Sequence, residues 1–257
     1  MAKAVKSETK GKPKAKPARK PARGKAAAKP RLFRRLLGWI GFLALRGTTI
    51  LIVLILTLVL LFAFVNPPIT HTIWAESQNL DTVERDWVAI ENVAPVMARS
   101  VVAAEDANFC LHWGFDVVAI RAAMDGGNKR GGSTISQQVV KNVFLWQGRS
   151  WIRKALEAAI TPAVEAIWTK RRIIEVYLNV AEMDEGVFGV KAAAQGYFGV
   201  TPDALSARQA ALLAAVLPSP KTRSAAKPTA RLRKRANSIM DGAATIRADG
   251  RAACFED

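Results

Sequence analysis

Glu105 is the first residue whose surroundings suggest acid–base chemistry. It lies in the apolar segment VVAAEDANFCLHW, residues 101–113, and Ser100 is expected to cap the N-terminus of a helix that runs through this segment. On such a helix Phe109 and His112, four and seven residues later, share a face with Glu105. Apolar neighbours raise the pKa of a carboxyl group because they disfavour its charged form. We therefore predict that Glu105 acts as a general base or acid.

A second carboxylate, Glu157, stands in a row of charged residues. Arg149, Arg153 and Glu157 follow one another at intervals of four, so that they project from one side of a helix that begins after Ser150. The row is a candidate for the chemistry of a site. Ordinary ion pairs on a helix surface produce the same pattern, and the spacing alone leaves both interpretations open.

Between these two helices lies a polar segment, RGGSTISQQVVKN, at residues 130–142. It combines glycines, three hydroxyl groups, three side-chain amides and Lys141. Free backbone amides, hydroxyl donors and a lysine are the groups that bind a phosphate or pyrophosphate. A polar surface turn that opens a helix would have a similar composition, so this segment by itself is a weak signal.

Helical periodicity dominates the sequence beyond residue 95. Four segments combine an apolar stripe at helical spacing with capping or terminating residues. We predict these helices after Ser100, after Ser150, over Lys170–Asn179 and from Ser206 to Pro218. No series of strands and no repeats are evident, so the sequence predicts one mostly α domain over residues 95–257.

Two local features modify this prediction. Pro162 removes a backbone hydrogen bond from the helix that begins after Ser150 and should kink it. The segment DGGNKRGG, residues 125–132, should be a mobile loop.

The positive charge of the chain is concentrated at its N-terminus. The net charge is +17, yet residues 1–46 hold 15 Lys and Arg against one acid, Glu8, which leaves only +3 for the other 211 residues. Residues 1–35 are rich in Lys, Arg, Pro and Ala, and we predict a disordered tail because such a segment cannot bury enough apolar surface. Its expected role is to attract anionic lipids and set topology. We expect no nucleic-acid partner, although the tail could bind phosphate non-specifically.

An uncharged run of 18 residues from Thr48 to Val65 predicts a membrane-spanning helix within residues 36–66. The run is longer than the core of a signal peptide and lacks a small-residue cleavage site, so an uncleaved single-span anchor is expected. Fourteen Lys and Arg lie within the first 35 residues, whereas the connector at residues 67–94 contains a single arginine, Arg85, and several acids. The positive-inside rule therefore places the N-terminus in the cytoplasm and the domain outside.

Six segments together resemble the signature motifs of the peptidoglycan glycosyltransferase family in order and spacing. They are EDANFCLHWG (105–114), GGSTISQQVVKN (131–142), RKALE (153–157), KRRIIEVYLN (170–179), GVFGVKAAAQGYFG (186–199) and ARQAALLAAVLPSP (207–220). The resemblance covers essentially all of residues 95–220. A single span without a second domain is similar to the monofunctional form of the family, and the SxxK matches at Ser7 and Ser224 are attributed to chance.

The resemblance implies a lysozyme-like helical fold that polymerises lipid II into β-1,4-linked strands, with inversion and release of undecaprenyl pyrophosphate. Glu105 matches the general base, and Glu157 matches the glutamate on the pyrophosphate side. The expected substrate-binding residues are Asp106, Ser133, Gln137, Lys141, Arg149, Arg153 and Lys154. His112 is expected to make a structural hydrogen bond at a helix end.

The same resemblance implies an enzyme of the bacterial inner membrane whose catalytic domain lies in the periplasm. Its expected partners are lipid II, the growing strand, the bilayer and other cell-wall synthesis proteins. No tightly bound cofactor is expected, and no metal-ligand cluster is evident in the sequence, although Mg²⁺ or Mn²⁺ could assist at the pyrophosphate. Two alternatives remain open: a lytic or hydrolytic lysozyme-like enzyme, and a non-catalytic cell-wall scaffold.

Cys110 and Cys254 are the only cysteines of the chain. An even number of cysteines in an exported domain favours a disulfide, and this bond would hold the C-terminus against the segment that follows Glu105. The alternative is a small buried thiol at Cys110 and a free thiol in a loose tail at Cys254.

Overall fold

The computed structural model describes Met1 and residues 31–125 and 132–256. The chain divides into two compact units, Met1–Thr49 and Ile50–Asp257. Most of the predicted disordered tail and the centre of the predicted mobile loop, residues 126–131, lie outside the described residues.

The first helix, α1 (Arg31–Phe62), contains the predicted anchor. Its part Phe33–Phe62 is long and apolar enough to cross a membrane, with a mean hydropathy of 2.5 in its most apolar window. Nearly all side chains of this window are exposed, as those of a helix that faces lipid must be. The prediction of a disordered tail up to residue 35 is wrong at its end, because residues 31–35 continue the helix rather than the tail.

Ten further helices follow within the described residues, and the prediction of a mostly α chain is confirmed. They are α2 (His71–Ser77), α3 (Pro95–Glu105), α4 (Val117–Asp125), α5 (Ile135–Phe144), α6 (Trp151–Ile167), α7 (Lys170–Val180), α8 (Val190–Phe198), α9 (Ala207–Val216), α10 (Ala230–Ala248) and α11 (Ala253–Glu256). Ser150 and Ser206 cap α6 and α9 through their side chains, as predicted. Pro162 lies within α6, which nevertheless continues to Ile167.

The prediction for the helix that carries Glu105 is wrong in its bounds. The helix α3 begins at Pro95 rather than after Ser100, and it ends at Glu105 itself. Phe109 lies in a separate 3-10 turn, and His112 follows that turn in an extended conformation. The three residues therefore do not share a helical face. The chain leaves the helix at Asp106, whose side chain bonds to other elements instead.

Residues 67–94, predicted as a polar connector, also carry regular structure. They contain α2 and the short strand β1 (Glu84–Arg85). This strand pairs in parallel with β3 (Val187–Phe188), which is antiparallel to β2 (Glu182–Asp184), so the sheet order is β1-β3-β2. Strands of two or three residues are too short to show an alternating pattern, and β1 pairs with β3 across about a hundred positions, which explains why the sheet could not be predicted from the sequence.

The core of the domain is built from two groups of helices. The helices α3, α9 and α10 pack on one another, and α5 packs on α6 and α7. Fully buried side chains such as Met97, Val139, Ile173 and Leu213 join both groups into one apolar cluster. The first group carries Glu105, the expected base. The second group carries Lys141 and Glu157, which are expected on the pyrophosphate side of the site.

The two cysteines form a disulfide that holds the C-terminal segment. Cys110 and Cys254 are bonded with an S–S distance of 2.02 Å and a Cα–Cα distance of 5.7 Å. Next to Cys254, the buried Phe255 ring lies 6.3 Å from the Phe109 ring, and its carbonyl accepts a hydrogen bond from Arg171 at 3.0 Å. The short helix α11 is thereby attached to the 3-10 turn that follows α3.

Replacing Cys254 by serine should lower the stability of the domain substantially. The bridge links residues 144 positions apart, and the chain-entropy model assigns a loop of that size about 4–5 kcal/mol. Urea unfolding of the wild type and of Cys254→Ser, each with and without reductant, measures the effect. Reductant should shift the midpoint of the wild type and leave that of the variant unchanged. Equal midpoints for all four samples would exclude a stabilising disulfide.

Candidate active site

Glu105 ends helix α3, and two other helices hold its carboxylate. Its Oε2 accepts a hydrogen bond from the Gln138 side chain on α5 at 3.1 Å. Its Oε1 lies 3.7 Å from Nη2 of Arg235 on α10. The Glu105 side chain is 15% exposed, so it can still meet a ligand although it is mostly shielded from water.

The surroundings of Glu105 raise the pKa of its carboxyl group. Burial is the largest cause, and it is partly opposed by the hydrogen bond from Gln138 and by the charges of Arg235, Lys141 and Arg223. A carboxylate with a raised pKa is a stronger base than an exposed one, and the cations keep it from being protonated outright. This balance is what proton abstraction near neutral pH requires.

Tyr177 on α7 orients the amide that holds Glu105. Its hydroxyl donates to Oε1 of Gln138 at 3.3 Å, which turns the Gln138 amide nitrogen towards Glu105. Burial raises the pKa of Tyr177 far above its usual value, with a further contribution from Glu105, so the hydroxyl remains a donor. Gln138 and Tyr177 both lie in the quoted motifs, but their residue types alone did not distinguish them as site residues.

Lys141 lies one turn after Gln138 on α5, within electrostatic reach of both carboxylates. Burial lowers the pKa of its ammonium group, while the negative charges of Glu157 and Glu105 raise it. The charges of Arg153 and Lys154 act in the opposite direction, so these cations are also nearby. The charge of Lys141 therefore acts both on Glu105, on the first helix group, and on the charged residues of α6, on the second group.

Glu157 is the centre of that cluster rather than a surface ion-pair residue. Its side chain is only 3% exposed and accepts a hydrogen bond from Lys154. The same ammonium group of Lys154 lies 3.3 Å from the Ser133 hydroxyl. One carboxylate among Lys141, Arg153 and Lys154 leaves a surplus of positive charge, which suits a phosphate-containing ligand.

The two arginines of the predicted row differ in position. Arg153 is partly buried, and its Nε is enclosed without a hydrogen-bond partner among the described residues. Arg149 is exposed in the segment that precedes α6. Arg153 is within electrostatic reach of Lys141, as Lys154 is, whereas Arg149 lies on the exposed segment before α6.

Asp106 and Gln137 are engaged in holding the backbone of the site. One Asp106 oxygen bonds to the His112 ring at 2.8 Å, and the other accepts from the Ile135 backbone at 3.0 Å. Gln137 forms a reciprocal capping box with Thr134 at the start of α5. These contacts favour positioning roles for Asp106 and Gln137 over the substrate contacts that the motifs imply, and they give His112 its expected structural hydrogen bond.

The loop after Glu105 is fixed against α5 and α6 at Gly114. This glycine has a φ of +80°, and a Cβ atom there would lie 2.5 Å from the Thr161 side chain. Its carbonyl accepts a hydrogen bond from the Thr134 hydroxyl at 2.7 Å. Nearby, Lys170 donates to the His112 carbonyl at 2.8 Å and to the buried Glu165 at 2.9 Å. The loop therefore has little freedom to move Glu105.

Arg235 and Arg223 are residues of this site that the sequence did not indicate. Arg223 donates to the Ala215 carbonyl at 2.9 Å, and its charge and that of Arg235 both act on Glu105. Both lie beyond the six motifs, in a stretch with many basic residues and no distinguishing pattern. Within residues 31–125 and 132–256, no group of three or more His, Cys, Asp or Glu could hold a metal ion.

Comparison with known proteins decides the family. The family model described as Transglycosylase matches residues 72–244, which include every site residue described above. The chain belongs to the transglycosylase family. This result confirms the family and the enzyme class that the motifs predict.

Three curated relatives show how far the similarity of this transglycosylase extends, and each is named biosynthetic peptidoglycan transglycosylase. The one from Jannaschia sp. (strain CCS1) is 61% identical over 211 residues, covering 82% of this chain and 88% of the relative. The one from Pectobacterium atrosepticum is 49% identical, with 72% and 80% covered. The one from Rhodospirillum centenum is 44% identical over 233 residues, with 89% and 97% covered.

Proposed function

We propose that this transglycosylase polymerises lipid II into β-1,4-linked peptidoglycan strands and releases undecaprenyl pyrophosphate. The observation that carries the proposal is that Lys141, one turn after the Gln138 that bonds to Glu105, is within electrostatic reach of both Glu105 and Glu157. Its charge acts on Glu105, a shielded base, and on Glu157, the centre of a cluster with surplus positive charge. A base beside an anion site is the arrangement that glycosyl transfer from a sugar pyrophosphate needs.

In the proposed reaction, Glu105 takes the proton from the 4-hydroxyl of the incoming lipid II. The hydroxyl oxygen attacks the anomeric carbon of the growing chain, and the bond from that carbon to the pyrophosphate oxygen breaks. The electron pair of this bond leaves with the pyrophosphate, and attack from the opposite face inverts the anomeric carbon. Glu105 then returns its proton to solvent.

Lys141, Arg153 and Lys154 would stabilise the charge that develops on the departing pyrophosphate. Ser133, which lies beside Lys154, would add a hydroxyl donor. Glu157 would hold Lys154 in place, since its buried carboxylate accepts a hydrogen bond from that side chain. The exposed Arg149 would reach the ligand from the rim of the site. Any Mg²⁺ or Mn²⁺ that assists would be bound chiefly by the pyrophosphate oxygens.

We further propose that α1 spans the inner membrane once, with the N-terminus in the cytoplasm and the catalytic domain in the periplasm. The length and apolarity of α1 and the basic residues before it support this orientation. A disulfide between Cys110 and Cys254 agrees with an oxidising compartment. Protease added to spheroplasts should digest the domain, and protection of the domain would contradict the orientation.

Incubation of the purified full chain with lipid II in detergent tests the activity. The expected product is a glycan polymer that a muramidase degrades, together with undecaprenyl pyrophosphate. A lytic enzyme would instead shorten strands that are already formed, and a scaffold would change neither substrate. Either of these results would refute the proposed function.

A further inference from the structure

The last turns of helix α1 are built into the catalytic unit. Val59 is fully buried, although most of α1 is exposed. The Phe62 ring lies 6.0 Å from that of Phe144, which in turn lies 6.2 Å from that of Trp168. All of these residues belong to the unit Ile50–Asp257. The end of α1 therefore packs on the domain through a row of aromatic rings.

Two side chains at the corner between α6 and α7 bind the backbone at the end of α1. The Trp168 indole nitrogen donates to the Val59 carbonyl at 2.7 Å. The Arg172 guanidinium donates to the Phe62 carbonyl from two nitrogens, at 3.2 and 3.0 Å. It also donates to the Val65 carbonyl at 3.0 Å and to the Asn66 side chain at 3.0 Å. We call these contacts of Trp168 and Arg172 the junction.

The junction meets a specific need of a helix that ends at a membrane surface. The last carbonyl groups of a helix have no partner within the helix, and lipid offers none. The planar guanidinium of Arg172 supplies several donors in a fixed geometry. Glu175 bonds to Arg172 at 2.7 Å and balances its charge. The hydrogen bonds of Arg172 thus fix the orientation of the end of α1, and the charge of Arg172 is balanced by Glu175.

The junction also touches the helices that carry the active site. Phe144 ends α5, the helix of Gln138 and Lys141. Trp168 caps the C-terminus of α6, the helix of Glu157, and Arg172 lies in the first turn of α7, the helix of Tyr177. The end of α1 is therefore connected directly to α5 and α6, which carry the proposed pyrophosphate cluster, and to α7, which supports Glu105 through Tyr177 and Gln138.

We propose that Trp168 and Arg172 are positioning residues that fix the end of the membrane helix to helices α5–α7, so that the active site meets a bilayer-bound substrate at a set height. This inference rests on the proposed function, because only a lipid-linked substrate has its reacting groups held at a defined height. In a bilayer the substrate cannot follow a domain that tilts or lifts. In a detergent micelle it can.

Comparison of turnover in two media tests the junction. Full-length Arg172→Gln should polymerise lipid II about tenfold more slowly than the wild type in liposomes, since small displacements of reacting groups cost rate steeply. In detergent micelles its kcat should stay within about twofold of the wild-type value by the same reasoning. Arg172→Lys should recover part of the liposome activity. Trp168→Phe, which keeps an aromatic ring and loses the donor, should show a smaller loss of the same kind.

Arg171→Gln is the matched control. Arg171 is the neighbour of Arg172 on α7 and also forms an ion pair, at 2.8 Å with Glu91, but it binds the C-terminal segment instead of α1. Its ratio of liposome to detergent activity should equal that of the wild type. Hydrogen exchange of the amides at residues 62–66 should be faster in Arg172→Gln than in Arg171→Gln, with exchange of the α3 core unchanged in both.

Each outcome of this experiment decides a different question. An equal loss in both media that follows the melting temperature would make Arg172 merely structural, and an unchanged ratio would remove the positioning role. Trp168→Phe gives the same decision if Arg172→Gln does not fold. A wild-type chain that makes no polymer in either medium would instead refute the proposed function and the inference with it.

Discussion

Replacing Glu105 by glutamine is expected to abolish strand polymerisation while the domain remains folded. Glutamine keeps the shape of the side chain but cannot accept the proton of the attacking hydroxyl. General-base catalysis is worth about 10²–10⁴-fold, and of the carboxylates near this site Glu157 and Asp106 are already bound by Lys154 and His112. Single-turnover measurements with lipid II determine the loss.

Glu185→Gln provides the control for the same chemical change at an exposed position. Its turnover should match that of the wild type, and the melting temperatures of all three proteins should be similar. Glu105→Gln turnover close to that of Glu185→Gln would refute the role of Glu105 as base.

The pH dependence of kcat/KM should report the same group. Glu105 must be deprotonated to act as a base, so activity should fall as the pH drops through its pKa. Because burial raises this pKa, the fall should occur at a higher pH than for an exposed glutamate. An acid limb at or below the usual range of glutamate would contradict this assignment.

Replacing Lys141 by alanine should have the second largest effect. The loss of one fixed donor to a developing negative charge typically costs about 10²–10³-fold in kcat. Stability should change little, because burial already disfavours the charged form of Lys141 and lowers its pKa. The variant should also move the acid limb of the pH profile upwards, since the Lys141 charge lowers the pKa of Glu105.

Lys191→Ala is the control for the loss of a lysine. Lys191 is partly exposed and pairs with Asp86, and it lies on α8, which carries no residue of the proposed pyrophosphate cluster. A Lys141→Ala variant whose activity falls only in proportion to its melting temperature would make Lys141 structural. Arg149→Ala, measured alongside, determines whether this exposed arginine also contributes to turnover.

The sequence by itself determined the family, the helical class and the long apolar helix α1, which is long enough to cross a membrane. Six motifs in one order are too specific to occur by chance, and an amphipathic helix or a long apolar helix is encoded in residues that are close in the chain. Glu105, Lys141 and Glu157 could be named as candidates because each lies in one of the six motifs. The composition around Lys141 and the spacing around Glu157 would not have been sufficient alone.

Only the tertiary structure decided which groups meet these residues. Local periodicity could not reveal that α3 ends at Glu105, because Asp106 forms its bonds with His112 and Ile135 instead. It could not indicate Arg235, which reaches Glu105 from a helix 130 positions away. Nor could it show that Arg172 binds the end of α1, a contact across 110 positions. Contacts of this kind depend on how helices pack, and packing leaves no periodic signal in any one segment of the chain.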